Sequence, residues 1–113
     1  MGSRFARVTA LSAILLAAGG IAAFAADGPA EPRRSELRNM VRQDCGSCHG
    51  LTMKGGLGPP LLPAALAEKD PAQLRFVVLH GRRGTAMPPW SRFLSEAEAA
   101  WIVELLRVGL PRD

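Results

Sequence analysis

The chain has 113 residues, 48% of them hydrophobic and 21% charged, with a net charge of +4, two Cys and two His. The apolar share excludes a disordered chain, the length suggests one domain, and two cysteines are too few for a disulfide-dense scaffold. A pI near 10 raises the question of nucleic-acid binding, so the location of the charges has to be settled first.

Arg4 and Arg7 precede an apolar run from Val8 to Ala26, and Ala23-Phe24-Ala25 fits a small-x-small cleavage site. Residues 1–25 therefore read as a cleaved Sec-type signal peptide. The alternative is a retained membrane anchor. The run is just long enough to span a bilayer, but Gly19-Gly20 weakens it as a helix. Cleavage leaves 88 residues of charge +2, because two arginines leave and no acid does. The basic pI is then partly a targeting feature. No Lys/Arg stripe interleaved with aromatics remains, so no nucleic-acid partner is expected, nor any stable membrane association after cleavage. The destination is an oxidising compartment, the bacterial periplasm. So short a chain makes a marginal core, and a staple or cofactor is expected to complete it.

Residues 26–34, with Pro29 and Pro32, read as a flexible linker. Residues 35–113 form the single folded domain. A helix is predicted to start at Ser35 as N-cap, with Leu37, Met40 and Val41 on one face, and to run into Cys45. Residues 50–60 hold four glycines and two prolines, which dictates a loop. A short helix is expected within 61–68. Asp70-Pro71-Ala72-Gln73 is a helix start with an acidic N-cap and Pro at the first position. Leu74, Val77 and Val78 follow on one face, and Gly81 is the stop. Residues 81–90 form a second loop. Ser95-Glu-Ala-Glu98 is a capping box opening a helix with Ala97, Trp101, Leu105 and Val108 on one stripe and Ile102 beside it. Gly109 and Pro111 end it. No segment has strand periodicity. The expected fold is all-α, with three main helices plus a short one.

Cys45-Gly-Ser-Cys48-His49 carries the chemistry. C-x-x-C-H is the attachment signature of c-type haem. Thiols three residues apart lie about one helical turn apart, which suits addition to the two vinyl groups of one porphyrin, and His49 then reaches the iron. A two-residue disulfide adds little, a thioredoxin-like C-x-x-C wants a βαβ context, and zinc needs two more ligands than the chain offers. The candidates for the second axial ligand are Met40, Met53, Met87 and His80. Met40 falls on the core face of the first helix. Met53 follows His49 too closely to cross to the other haem face. Met87 sits in a loop stiffened by Pro88 and Pro89, and Met/His ligation raises the haem potential. Met87 leads, with His80 as the rival.

The order helix, C-x-x-C-H, Gly-Pro loop, helix, G-x-x-M-P, capped aromatic-bearing helix resembles a small class I cytochrome c wrapped around one covalent haem. More narrowly, Asp44–Pro60 and Gly81–Trp90 resemble the 55X-type cytochromes encoded with cytochrome cd₁ nitrite reductase. The resemblance implies Cys45 and Cys48 as thioether cysteines, His49 as proximal ligand and Met87 as distal ligand. It implies a hydrogen bond from the proximal histidine to the carbonyl of Pro59, with Pro60 as fallback, which would raise ligand basicity. It sets Trp101 across the N-terminal helix, with Leu37 and Val41 as partners. Trp90 is expected either against the haem edge or a propionate, or as an ordinary buried Trp. Arg82 and Arg83 either pair with propionates or are solvated. Phe76 and Phe93 are expected in the core.

Two protein ligands leave no open iron site, which implies electron transfer and not catalysis. The implied role is a monomeric periplasmic carrier donating to cytochrome cd₁ nitrite reductase in denitrification. The alternatives are a redox helper in maturation of that enzyme's d₁ haem, a carrier to another reductase or oxidase, or a ligand-binding or peroxidase-like haem protein. Redox docking of this kind is small in area, and Ala86, Pro88 and Pro89 suit such a contact. With a net charge of only +2, long-range steering is expected to be modest.

Overall fold

A computed structural model of the protein describes residues 28–112. The signal segment 1–25 lies outside the described residues. Among them there is no strand, and no helix is long and apolar enough to cross a membrane.

Helix α1 spans Arg33–Met40, starting two residues before Ser35. Pro32 occupies the N-cap without a side-chain bond. The Glu31 carboxylate instead accepts from Ser35 N at 3.0 Å and Ser35 Oγ at 2.7 Å. An acid just outside the helix thus takes one of its orphan N–H groups, and Ser35 is a donor to it and not the cap. The described part of the linker is also tied down. Arg34 Nε donates to Pro29 O at 3.1 Å, and Gly28 lies so close to the Trp101 indole that a Cβ there would collide with the ring.

A π-helical turn, Val41–Cys45, joins α1 to α2, Gly46–His49. Such turns insert an extra residue per turn and recur at functional sites. Helix α3, Pro63–Leu66, is shorter than the expected 61–68 segment. Helix α4, Pro71–His80, starts as expected: Asp70 accepts from Ala72 N at 2.9 Å and Pro71 takes the first position. It stops at Gly81, whose φ of +70° is left-handed. Helix α5, Glu96–Val108, opens on a complete capping box. Glu98 N donates to Ser95 Oγ and Ser95 N to the Glu98 carboxylate.

The core gathers Leu37, Val41, Met53, Leu66, Leu79, Leu94, Ala99, Ile102 and Leu106. Trp101, Trp90, Leu74 and Val78 pack against it while half-buried. The buried face of α5 is Ala99, Ile102, Val103 and Leu106, not the stripe expected from Ala97 to Val108; Ala97 is exposed and Val108 is 82% exposed. Both sets have helical spacing. Apolar residues occupy most of the α5 circumference, so periodicity alone did not select the face. Phe76 and Phe93, expected in the core, are 61% and 60% exposed.

Arg33 ties the starts of α1 and α5 together. Its Nε meets Glu98 Oε1 at 2.6 Å, and another guanidinium nitrogen donates to Phe93 O at 2.8 Å. The Arg33 guanidinium, then the Ser95 N–H, hold the Glu98 carboxyl below its ordinary 4.5. Its folded pKa lies below its unfolded one. The stabilisation is therefore full above about 4.5 and disappears as pH falls through the folded value. Glu98→Ala keeps the Ser95 cap but removes the ion pair and the carboxylate half of the capping box, at a cost of about 1 kcal/mol near neutrality. In thermal melts of the haem-loaded protein, the gap between parent and variant should shrink as pH is lowered toward ~3.

Candidate functional site

The chain is helical from Val41 to His49, so Cys45 and Cys48 share one side of one turn. Both are free and half-buried. Burial first, then the Asp44 charge, pushes the Cys45 thiol up to about 11. A protonated thiol is the opposite of the low-pKa thiolate that dithiol redox centres use.

At Gly50, with φ +89°, the chain leaves the helix. A Cβ there would lie 2.7 Å from the Gly55 carbonyl oxygen. The following loop laces back onto the turn it has just left. Gly55 N donates to His49 O at 2.8 Å, Gly58 N to Cys48 O at 2.8 Å and Leu61 N to Met53 O at 2.9 Å. This places the Pro59 carbonyl 2.7 Å from His49 Nδ1. A carbonyl can only accept, so Nδ1 carries the proton. The Nε2 lone pair is then free for a metal, with ring orientation and basicity set by the Nδ1 bond. Gly58 faces the same ring: a Cβ on it would lie 2.7 Å from both Cε1 and Nδ1.

Met53 is 3% exposed and holds φ at +59°, the sole left-handed non-glycine among the described residues. Its side chain lies in the core beneath Gly46, where an added Cβ would meet its Cε at 3.6 Å. Met40 is half-buried against the same core. His80 is exposed at the end of α4, its ring 4.5 Å from that of Phe76.

The second loop leaves at Gly81 and returns at Trp90. Its base is closed by Trp90 N on Val78 O at 3.0 Å and Ser91 N on Leu79 O at 3.1 Å. Inside it, Arg82 N donates to Met87 O at 3.2 Å. Thr85 Oγ1 donates to Arg82 O at 2.7 Å and accepts from Met87 N at 3.3 Å. The backbone of Met87 is thus held on both sides, and its side chain is half-buried. At Gly81 a Cβ would come within 2.6 Å of Met87 O. Trp90 packs its ring 5.8 Å from Phe93. Arg82 and Arg83 are exposed.

The donor set fits haem c: two thiols one turn apart, an imidazole with its Nε2 lone pair free, and a thioether in a separately pinned loop. Gly58, Gly81 and Thr85 were not singled out for these contacts in the sequence. Only Thr85 left a signal, as a hydroxyl two residues before Met87, where Ser and Thr commonly bond back to the local backbone.

Residues 32–106 match the family model described as cytochrome C oxidase, cbb3-type, subunit III. A protein of Paracoccus denitrificans (strain Pd 1222) named cytochrome c55X is 51% identical over 98 residues, 86% of this chain and 90% of its own length. The solved structure of a c-type cytochrome NirC superposes with a TM-score of 0.69 at 49% identity, over 71% of this chain and 94% of that one. That of a dihydro-heme d1 dehydrogenase NirN in complex with DHE gives 0.59 at 43% identity, over 66% of this chain but only 16% of the other.

Proposed function

This chain belongs to the small class I c-type cytochromes of the 55X type, with covalently bound haem c as cofactor, and from that premise we propose that it is a periplasmic monohaem carrier of single electrons in the nitrite-reductase pathway. The observation that carries this reading is the His49–Pro59 bond, which prepares Nε2 as an iron ligand. Cys45 and Cys48 would hold the haem through thioethers, and His49 and Met87 would supply the two ligands to its iron. Arg82 and Trp90, flanking the Met87 turn, would lie at the haem periphery. Bound haem supplies a one-electron Fe(III)/Fe(II) couple. An imidazole and a thioether both given to the iron would leave no site on it for a substrate, which suits a carrier.

The optical spectrum of the purified protein in both redox states tests this. The expected result is a far-red sulfur-to-iron band in the ferric form and no ready binding of carbon monoxide in the ferrous form. Loss of that band together with rapid carbon monoxide binding would mean an open-site haem protein. Export is tested separately by the N-terminal sequence of the mature protein, expected to begin at Ala26.

Within the pathway, two roles compete. The relatives named cytochrome c55X and NirC support a donor to cytochrome cd₁ nitrite reductase. The likeness to a cytochrome-sized part of a dihydro-heme d1 dehydrogenase favours a second role, as redox helper in making the d₁ haem. Deletion of the gene followed by d₁ haem assay of the purified reductase separates them. A full complement of d₁ haem leaves the donor role.

A further inference from the structure

Arg33 spreads its guanidinium over three partners, Glu98, Glu36 and the Phe93 carbonyl. Nε meets Glu98 Oε1 at 2.6 Å, and one terminal nitrogen meets Glu36 Oε2 at 3.1 Å. The other terminal nitrogen donates to Glu98 Oε2 at 3.3 Å and to Phe93 O at 2.8 Å. The carboxylates lie on α1 and α5, but Phe93 belongs to neither helix. It sits in the turn between the Met87 loop and the Ser95 cap. That turn is closed by Phe93 N on Trp90 O at 2.9 Å and Leu94 N on Trp90 O at 3.1 Å. Leu94, which is buried, pins it into the core. Between Trp90 and Met87 stand only Pro88 and Pro89, whose rings fix φ. From the guanidinium to Met87 the path is thus one hydrogen bond, one closed turn and two prolines. At its other end, α1 runs through the π-helical turn into Cys45, Cys48 and His49. Arg33 therefore bridges the segment that carries the thiols and the imidazole to the segment that carries the thioether.

We propose that Arg33 is a positioning residue for the distal ligand: its bond to Phe93 O sets where the Met87 loop returns relative to the helix that leads to His49. The proposal rests on the reading of Met87 as a ligand and assigns the hold on that ligand to a residue far away in sequence. A hydrogen bond from a charged donor is stronger than a neutral one. A planar guanidinium can also serve several acceptors at once, whereas an ammonium is a point charge. The partners of Arg33 then divide in their effects. Glu98 sets how firmly α1 and α5 are joined, and Phe93 O sets the seat of the loop. A loop that opens more often lets an outside ligand compete for the iron, because apparent affinity scales with the fraction of protein in the competent state.

The test titrates the haem-loaded ferric protein with imidazole and follows loss of the far-red sulfur band. Arg33→Leu removes every bond of the guanidinium and should bind imidazole on the order of ten-fold more tightly than the parent. Arg33→Lys keeps a cation beside Glu98 but not the fork, so it should regain thermal stability and stay near the raised affinity. Glu98→Gln removes the charge pair and leaves the Phe93 bond. Its thermal midpoint should fall while its imidazole affinity stays close to the parent's. An unchanged affinity in Arg33→Leu, full recovery in Arg33→Lys, or an equal rise in Glu98→Gln would each overturn the proposal. Backbone amide exchange gives a second readout that does not depend on the iron. In Arg33→Leu the amides of Trp90, Ser91 and Leu94 should exchange faster, with those of Gly55 and Gly58 in the first loop unchanged. A uniform rise in both loops would mean global unfolding and would also count against it. A parent without the sulfur band overturns the Met87 reading and not the Arg33 tether, which amide exchange still decides.

Discussion

Gly58→Ala is expected to break the bond that orients His49. The methyl group would lie 2.7 Å from two atoms of the imidazole, well inside contact distance. Gly58 is itself tied to Cys48 O, and the next residue supplies the carbonyl that His49 needs. Ring and loop cannot both stay in place. Overpacking costs about 1–3 kcal/mol, and loss of the hydrogen bond about another 1 kcal/mol. A weaker Nδ1 bond makes Nε2 a poorer donor, which destabilises ferric iron, so the reduction potential should rise. The measurements are the thermal midpoint and the potential, with Gly84→Ala as control. Gly84 has nothing within 4 Å of an added Cβ but a φ of +76°, so its variant should lose about 1 kcal/mol of stability and leave the potential alone. An unchanged potential in Gly58→Ala would mean that the Pro59 bond does not tune the iron.

Met87→Ala is expected to change the iron's chemistry more than the fold. The loop is held by backbone and Thr85 bonds that an alanine retains. The far-red sulfur band should vanish, the ferrous protein should bind carbon monoxide, and the potential should fall, since methionine ligation raises it. His80 is seven residues away, exposed and on the segment that leads into the loop, so the variant should also be made in a His80→Ala background. A bis-nitrogen spectrum in the single variant that disappears in the double one would show His80 capturing the iron. A sulfur band that persists in both would assign ligation to Met40 or Met53, and would sink Met87 as the ligand. Met53 is a poor substitute, because its side chain is locked in the core.

Much of the fold was legible because its signals are local. Asp70 with Pro71, Ser95 with Glu98, and the stops at Gly81 and Gly109 each depend on a few adjacent residues, and all recur in the structure. The start of α1 did not: the helix begins two residues before Ser35, with Pro32 at the N-cap, and Ser35 donates to Glu31 instead of capping. The buried face of α5 was missed for a related reason. A helix apolar on several sides has no unique stripe, and only contact with α1, α3 and α4 selects Ala99, Ile102, Val103 and Leu106. Phe76 and Phe93 were placed inside on hydrophobicity alone. That rule runs one way, since folded surfaces retain many apolar atoms.

The sequence by itself determined the family and the reactive set. C-x-x-C-H followed by a Gly-Pro loop and a Met-Pro turn names the chemistry through covalent bonding and short spacing, which no packing can alter. Tertiary structure decided how those groups are held. The proton on His49 Nδ1 depends on a carbonyl ten residues away. The seat of its ring depends on a hydrogen atom at Gly58, and the hold on Met87 depends on Thr85 and Gly81. The net charge, read first as small and then reduced by the signal, also changed meaning. Composition sums charges, whereas folding pairs some, such as Arg33 with Glu98, and leaves others exposed, such as Arg82 and Arg83.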